Sequence, residues 1–261
     1  MTSLALRIAG SAFLRRGVQH RYGAHPRNLA ELHRPAGDGP HPVAVLLHGG
    51  YWQPPWTKLI MRPLCLDLVR RGWAAWNVEY RRLGRDGGGW PMTFDDVARA
   101  IDHLDELADP RLDLERVTLV GHSAGGQLAL WAGGRRELPA GAPGADPRVC
   151  GRRVLALAAV CDLAAAGRPA RELLGGSVED VPDRYAQADP MRRLPLHVPV
   201  ALVHARGDAT VDVQRSRDYA AAARASGADV TLVETPGGHR DPIDPASEAW
   251  RAASAWLQLS R

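Results

Sequence analysis

The strongest constraint on this chain is an alternation. Short, continuous apolar runs are separated by segments with helical spacing. HPVAVLLHGG (41–50), WAAWNVEY (73–80), RVTLV (116–120), RRVLALAAVCDL (152–163), VPVALVHARGD (198–208) and ADVTLVET (228–235) read as strands. An unbroken apolar run suits a strand covered on both faces. RNLAELHRP (27–35) alternates weakly and reads as an early antiparallel strand. Between these runs, TKLIMRPLCLDLVRRG (57–72) carries Leu59, Ile60, Leu64, Leu68 and Val69 at helical spacing and stops at Gly72. TFDDVARAIDHLDELAD (93–109) is the clearest helix: Thr93 can cap it, Asp95 and Asp96 suit its positive end, and Val97, Ile101 and Leu104 form its inner stripe. AGGQLALWAG (124–133), VQRSRDYAAAARASG (213–227) and PASEAWRAASAWLQL (245–259) complete the helices. Strand and helix in turn imply an α/β fold, a mostly parallel twisted sheet with helices on both faces.

Length allows one large domain or two small ones. No repeat or linker divides the chain, and the Gly/Pro-rich stretch 133–148 is only a loop. The expectation is a single domain over 1–261, with residues 1–26 packing on it and 164–197 forming at most a small cap. MTSLALRIAGSAFLRRG does not follow the order of a signal peptide and reads as a short helix lying on the domain. No apolar stretch is long enough to span a bilayer, so stable membrane insertion is not expected. The formal charge is +4, but one lysine, Lys58, and 32 arginines are scattered among 29 acids. With no basic stripe, a nucleic-acid partner is not expected. Cys65, Cys150 and Cys161 are odd in number and lack CxxC spacing, which fits a reducing cytoplasm and neither disulfides nor zinc.

The stretch VTLVGHSAGGQLAL (117–130) raises the functional question. Gly121-His122-Ser123-Ala124-Gly125 sits where a strand gives way to a helix, the context of a nucleophile elbow. A serine hydroxyl needs a base to attack a carbonyl. In open α/β sheets, chemistry gathers at the carboxyl ends of the strands. Three further segments reach that edge: His48-Gly49-Gly50, Asp208 in HARGDATV, and His239 in GGHRDPIDP. Asp208 would orient His239, and His239 would take the Ser123 proton. Asp212 is the rival acid but lies further from the strand end; Asp241 and Asp244 read as turn and cap groups. The oxyanion donors would be backbone N–H groups of the loop Gly49, Gly50 and Tyr51 and of Ala124 at the helix start.

Four other histidines have quieter readings. His48 braces the loop, His122 points away from Ser123, His204 packs or bonds locally, and His103 is solvated or half-buried. None has metal-ligand spacing, so no metal or other cofactor is expected. Tyr51, Trp52, Trp56 and Trp90 lie in loops near the active edge, and Tyr185 lies in the cap-like stretch 173–190. These five either contact a substrate, an apolar or aryl one for the loop aromatics, or pack their loops down. Trp73, Trp76, Trp131, Trp250 and Trp256 sit on elements and read as core.

With these residues in view, LLHGGYWQ, GHSAGGQLA, HARGDATV and GGHRDPIDP resemble the α/β-hydrolase superfamily, over about Arg27 to Leu259. Within it they are similar to the esterase/lipase-like branch that includes arylformamidase, HGGYWQ most of all. Tyr51 stands where the HGGG lipase pattern has its third glycine, which counts against the hormone-sensitive-lipase type. The resemblance implies a metal-independent serine hydrolase cleaving a small carboxylic ester or formamide, with Ser123 as nucleophile, Asp208 as acid, His239 as base and Gly49 to Tyr51 as oxyanion loop. The expected partner is a small ester or amide substrate, and the expected state is a cytoplasmic monomer or homodimer. A general carboxylesterase or acyl-peptide hydrolase needs the same triad. A non-catalytic binding protein of this fold would be expected to lack part of it.

Overall fold

The computed structural model of the protein describes residues 17–258. The expected N-terminal helix over 1–16 and the last residues, 259–261, lie outside them. Among the described residues eight strands form one sheet: β1 Val18–Arg21, β2 Leu29–His33, β3 His41–Leu47, β4 Ala74–Val78, β5 Leu112–His122, β6 Arg153–Leu157, β7 Val200–Ala205 and β8 Val230–Thr235. Their order is β1-β2-β4-β3-β5-β6-β7-β8. The first two pairings are antiparallel. The rest, from β4–β3 to β7–β8, are parallel. Among the described residues seven α-helices accompany it: α1 Arg62–Arg70, α2 Met92–Glu106, α3 Ala124–Gly133, α4 Arg168–Leu174, α5 Pro182–Ala188, α6 Val213–Ala225 and α7 Glu248–Gln258.

The continuous apolar runs work as two interleaved stripes, because successive strand side chains point to opposite faces. In β3, Val43, Val45 and Leu47 join one core while Ala44 and Leu46 join the other. The first core is closed by α2, α3 and α6 through residues such as Ile101, Leu128, Trp131 and Tyr219. The second is closed by α1 and α7 through Leu64, Leu68, Trp250 and Leu257. Segment 164–197 contributes α4 and α5, whose Leu173, Leu174, Tyr185 and Ala188 enter the first core. It therefore packs into the body of the fold. Among the described residues no helix is long and apolar enough to cross a membrane.

Several expectations are corrected. β1 has no apolar alternation, with Val18 itself 54% exposed, and forms by pairing with β2 at the sheet edge. β5 begins at Leu112, before the apolar run, because its polar start pairs with His41 and Pro42 around an irregular register. The run 152–163 stops being strand at Leu157, where the chain turns: Ala158 has φ 45° and its N–H donates to the Val203 carbonyl. The helix expected over 57–72 begins as a 3-10 turn, Lys58–Met61, capped by Thr57. Thr93 does not cap α2; its hydroxyl donates to the Arg81 carbonyl and accepts from Gly89 N–H. Asp96 is buried against Arg81 at 2.6 Å. Trp256 is only half-buried and lies under the Arg153 guanidinium, 3.6 Å from its ring centre.

Trp250 fills the second core and donates its indole N–H to Asp67 at 2.7 Å. Trp250→Ala is expected to cost about 3–5 kcal/mol, read as a lower urea midpoint; a loss below about 1 kcal/mol would show that α7 is not a structural wall.

Candidate active site

β5 enters the site and α3 leaves it, with Ser123 between them at φ 54° and ψ −120°. The glycines around it answer to contact. A Cβ on Gly121 would lie 2.0 Å from the Gly125 carbonyl oxygen, and one on Gly125 would lie 2.2 Å from the Leu47 carbonyl oxygen. The turn is clamped from the next strand as well: Ser123 N–H donates to Leu157, and Val160 N–H donates to the Ser123 carbonyl. Ser123 is thereby held at the carboxyl edge, buried but facing a cavity of about 230 Å³.

The same cavity is lined by His239, which follows β8, and by Thr210, which follows β7. His239 Nδ1 donates to Asp208 Oδ2 at 2.7 Å, leaving its Nε2 free to accept a proton. Asp208 has a fully shielded side chain. Its Oδ1 accepts from Thr210 and Val211 N–H at 2.8 and 2.9 Å, and its Oδ2 also accepts from His204 Nε2 at 3.1 Å. Burial pushes this carboxyl upward, but bonds from His204, His239 and the two amides outweigh it and hold it well below the usual carboxylate range. Asp208 is therefore ionised at any working pH. The rival Asp212 is spent on capping α6, where it accepts from Gln214 N–H. Asp241 accepts from Gly238 N–H and Asp244 from Ala246 N–H.

The loop after β3 faces Ser123. Gly49 is so close that a Cβ there would lie 2.9 Å from the Ser123 Cβ. Gly50 has φ 117°, and Tyr51 and Trp52 follow at 55° and 57°. Among the described residues the N–H groups of Gly50, Tyr51 and Ala124 have no protein acceptor. The loop is braced from below. His48 bonds the Gly49 carbonyl and Glu79, Tyr80 donates to the His48 carbonyl at 2.6 Å, and Arg82 donates to the Trp56 carbonyl. Burial pushes the Glu79 carboxyl upward, but the charge and hydrogen bond of His48 and the charge of Arg82 prevail and hold it low.

Of the five aromatic residues, Tyr51 and Trp56 line the Ser123 cavity. Trp52 is buried and lines a neighbouring cavity of about 260 Å³. Trp90 packs edge-on against Phe94, and Tyr185 is buried with its hydroxyl on the Gly176 carbonyl; neither lines the Ser123 cavity. His122 does not point away: it lines the cavity, and its Nε2 lies 2.9 Å from the His239 carbonyl. His204 is the residue whose part the sequence understated. It is fully buried, with Nδ1 on Ser216 Oγ at 2.7 Å and Nε2 on Asp208. Its position four residues before Asp208, at the end of an apolar strand, was the available signal. His103 bonds Glu106 at 2.6 Å. Among the described residues no group of three or more His, Cys, Asp and Glu could hold a metal ion.

A mostly parallel eight-stranded sheet with a serine strained at its strand–helix junction defines an α/β-hydrolase fold. The BD-FAE family model matches residues 31–222, and the chain belongs to that family. Esterase LipQ of Mycobacterium tuberculosis is 30% identical over 213 residues, which are 76% of this chain and 49% of that protein. The chain thus spans about half the length of that relative. Among solved structures, a truncated carbohydrate esterase from gut microbiota superposes with a TM-score of 0.79 at 17% identity, covering 95% of this chain and 97% of that one. The butyrate-bound esterase Est2 of Thermogutta terrifontis gives 0.74 at 21% identity, covering 94% and 91%.

Two predictions follow from this geometry. His204→Ala removes a buried donor from a carboxylate and is expected to cost about 2–4 kcal/mol, read by urea unfolding; a stability equal to the parent's would mean the bond is idle. Burial, and then the neighbouring His239, pushes the His122 imidazole from 6.5 down to about 3 against the pull of the His239 carbonyl. The unfolded chain therefore binds a proton in that window that the folded chain refuses, so stability rises with pH between the two values. The slope from this group is about 1.4 kcal/mol per pH unit. Unfolding free energies measured from about pH 4.5 to 6.5, above the carboxylate range, are expected to show it. His122→Gln should flatten it, and an unchanged slope in that variant would refute the attribution.

Proposed function

We propose that the protein is a serine hydrolase that cleaves small carboxylic esters through an acyl-enzyme. One observation carries the reading: Ser123 and His239, which is paired with Asp208 behind it, line one cavity, and the backbone N–H groups of Gly50, Tyr51 and Ala124 beside Ser123 have no acceptor among the described residues. In this reading His239 Nε2 takes the Ser123 proton as the oxygen attacks the ester carbonyl. The N–H groups of Gly50, Tyr51 and Ala124 hold the oxyanion. His239 then gives the proton to the departing alcohol. Water, deprotonated by His239, attacks the acyl carbon and frees Ser123. Ionised Asp208 keeps the proton on His239 Nδ1 and stabilises the imidazolium that forms twice per cycle. The similar proteins LipQ, Est2 and the gut carbohydrate esterase are esterases, which supports ester over amide as the bond cleaved. A formamide remains the second substrate to test, on the HGGYWQ loop and the positive φ of Tyr51.

Ser123→Ala is expected to lower turnover of p-nitrophenyl acetate and butyrate by on the order of 10⁶, down to background, and to abolish labelling by a fluorophosphonate probe. A loss below about tenfold would overturn the assignment of Ser123. N-formylkynurenine measured beside these esters decides the second question: a higher kcat/KM, lost in the variant, would move the substrate class to arylformamides.

A further inference from the structure

The Ser123 cavity is mainly apolar in its wall, through Tyr51, Trp56, Ile60 and Ile243. Among the described residues one permanently charged side chain belongs to its lining, that of Arg240. Its guanidinium lies over the Trp56 ring, 5.0 Å from the ring centre and within cation–π range. Trp56 is a fixed platform. Its carbonyl is held by Arg82, and its ring lies so near Gly50 that a Cβ there would come within 2.3 Å of it.

Arg240 differs from many arginines of this chain. Arg62 pairs with Glu31, Arg81 with Asp96 and Arg135 with Asp102, all at 2.6–2.7 Å. Among the described residues Arg240 pairs with no carboxylate, and no acid lines the cavity. Asp208 bonds two amides and two histidines, and Asp241 bonds the Gly238 amide. A guanidinium held over a ring with no carboxylate partner keeps N–H donors to spare, and its fork of donors matches a carboxylate in a bidentate manner. An apolar cavity with one uncompensated cation at the reacting centre is complementary to an apolar molecule with one negative charge.

We propose that Arg240 is a specificity-determining residue, and that the site takes esters bearing a carboxylate on the acyl or the alcohol portion. The apolar part of such a substrate covers Trp56, Ile60 and Ile243, and its carboxylate meets the Arg240 edge. This rests on the ester-hydrolase reading above and adds the substrate's charge to it.

The test uses two matched pairs: mono-p-nitrophenyl glutarate against p-nitrophenyl valerate, and 4-acetoxybenzoate against methyl 4-acetoxybenzoate. The first pair places the charge on the acyl side and the second on the leaving group. For each ester, kcat/KM is compared between the parent, Arg240→Gln and Arg240→Lys, so that intrinsic ester reactivity cancels. In at least one pair the anionic-to-neutral ratio is expected to fall about tenfold or more in Arg240→Gln, the scale of one charge-assisted hydrogen bond. Arg240→Lys should keep part of the preference, and raised salt should erode it in the parent. The pair that responds identifies which side carries the charge. Ratios unchanged by Arg240→Gln in both pairs would overturn the inference while leaving the hydrolase reading intact. Absence of Ser123-dependent turnover on all four esters would overturn both.

Discussion

The arrangement depends on one close approach. The end of β5, the start of α3 and the end of β3 meet at backbone-to-backbone distances that no side chain fits between. Gly121 and Gly125 are required by this contact and not by a need for flexibility. The crossing forces Ser123 into a conformation that ordinary residues rarely adopt, and neighbouring strands hold it there through hydrogen bonds on both sides of the residue. Strain of this kind persists only where the surroundings over-determine it. Here the surroundings are β3, β5 and β6, the centre of the sheet, whose two cores are the least able to yield. The geometry of Ser123 is therefore set by the buried central strands.

Around that fixed point the polar groups divide into two sets. One set is buried and saturated: Asp208 with four donors, His204 between Ser216 and Asp208, and Glu79 with His48 and the Lys58 amide. A buried charge is tolerable only when its acceptor sites are filled, and filling them also fixes the orientation of whatever it touches. The other set lies at or beside the cavity with bonding capacity to spare among the described residues: His239 Nε2, the Gly50, Tyr51 and Ala124 amides, and the Arg240 guanidinium. Saturation of the first set keeps the second available, since no interior group competes for it.

Much of this was legible in the sequence because it follows from period and backbone constraint. Continuous apolar runs announced a doubly covered sheet, and G-x-S-x-G at a strand–helix junction announced the crowded turn. Asp208 and His239 were legible as strand-edge residues in the order Ser, Asp, His. What escaped was decided by partners distant in sequence. His204 could not be told from a packing histidine until Ser216 and Val211 were beside it. His122 was expected to turn away from Ser123, but its ring lies beside His239 and bonds the His239 carbonyl, a partner 117 residues away. Trp90 and Tyr185 looked like substrate contacts because loops near an active edge often supply them, yet Phe94 and Gly176 claim them. β1 was invisible because an edge strand needs only a backbone partner.

The same division explains why the reaction is easier to read than the substrate. The groups of the proposed reaction lie on glycine contacts and on residues at strand ends, where the backbone fixes position and the sequence motif is short and stereotyped. The groups proposed to select a substrate lie in segments 50–56 and 239–243, which meet through the Trp56–Arg240 contact. That contact joins two segments far apart in sequence, and neither residue carries a motif of its own. A tryptophan after Pro54-Pro55 reads as a loop anchor, and an arginine after the proposed base reads as a solvated charge. Only their apposition turns the pair into a charged wall. In the proposed reading the substrate's charge is therefore read by a loop pair, while the crossing beneath Ser123 is set by backbone contacts alone.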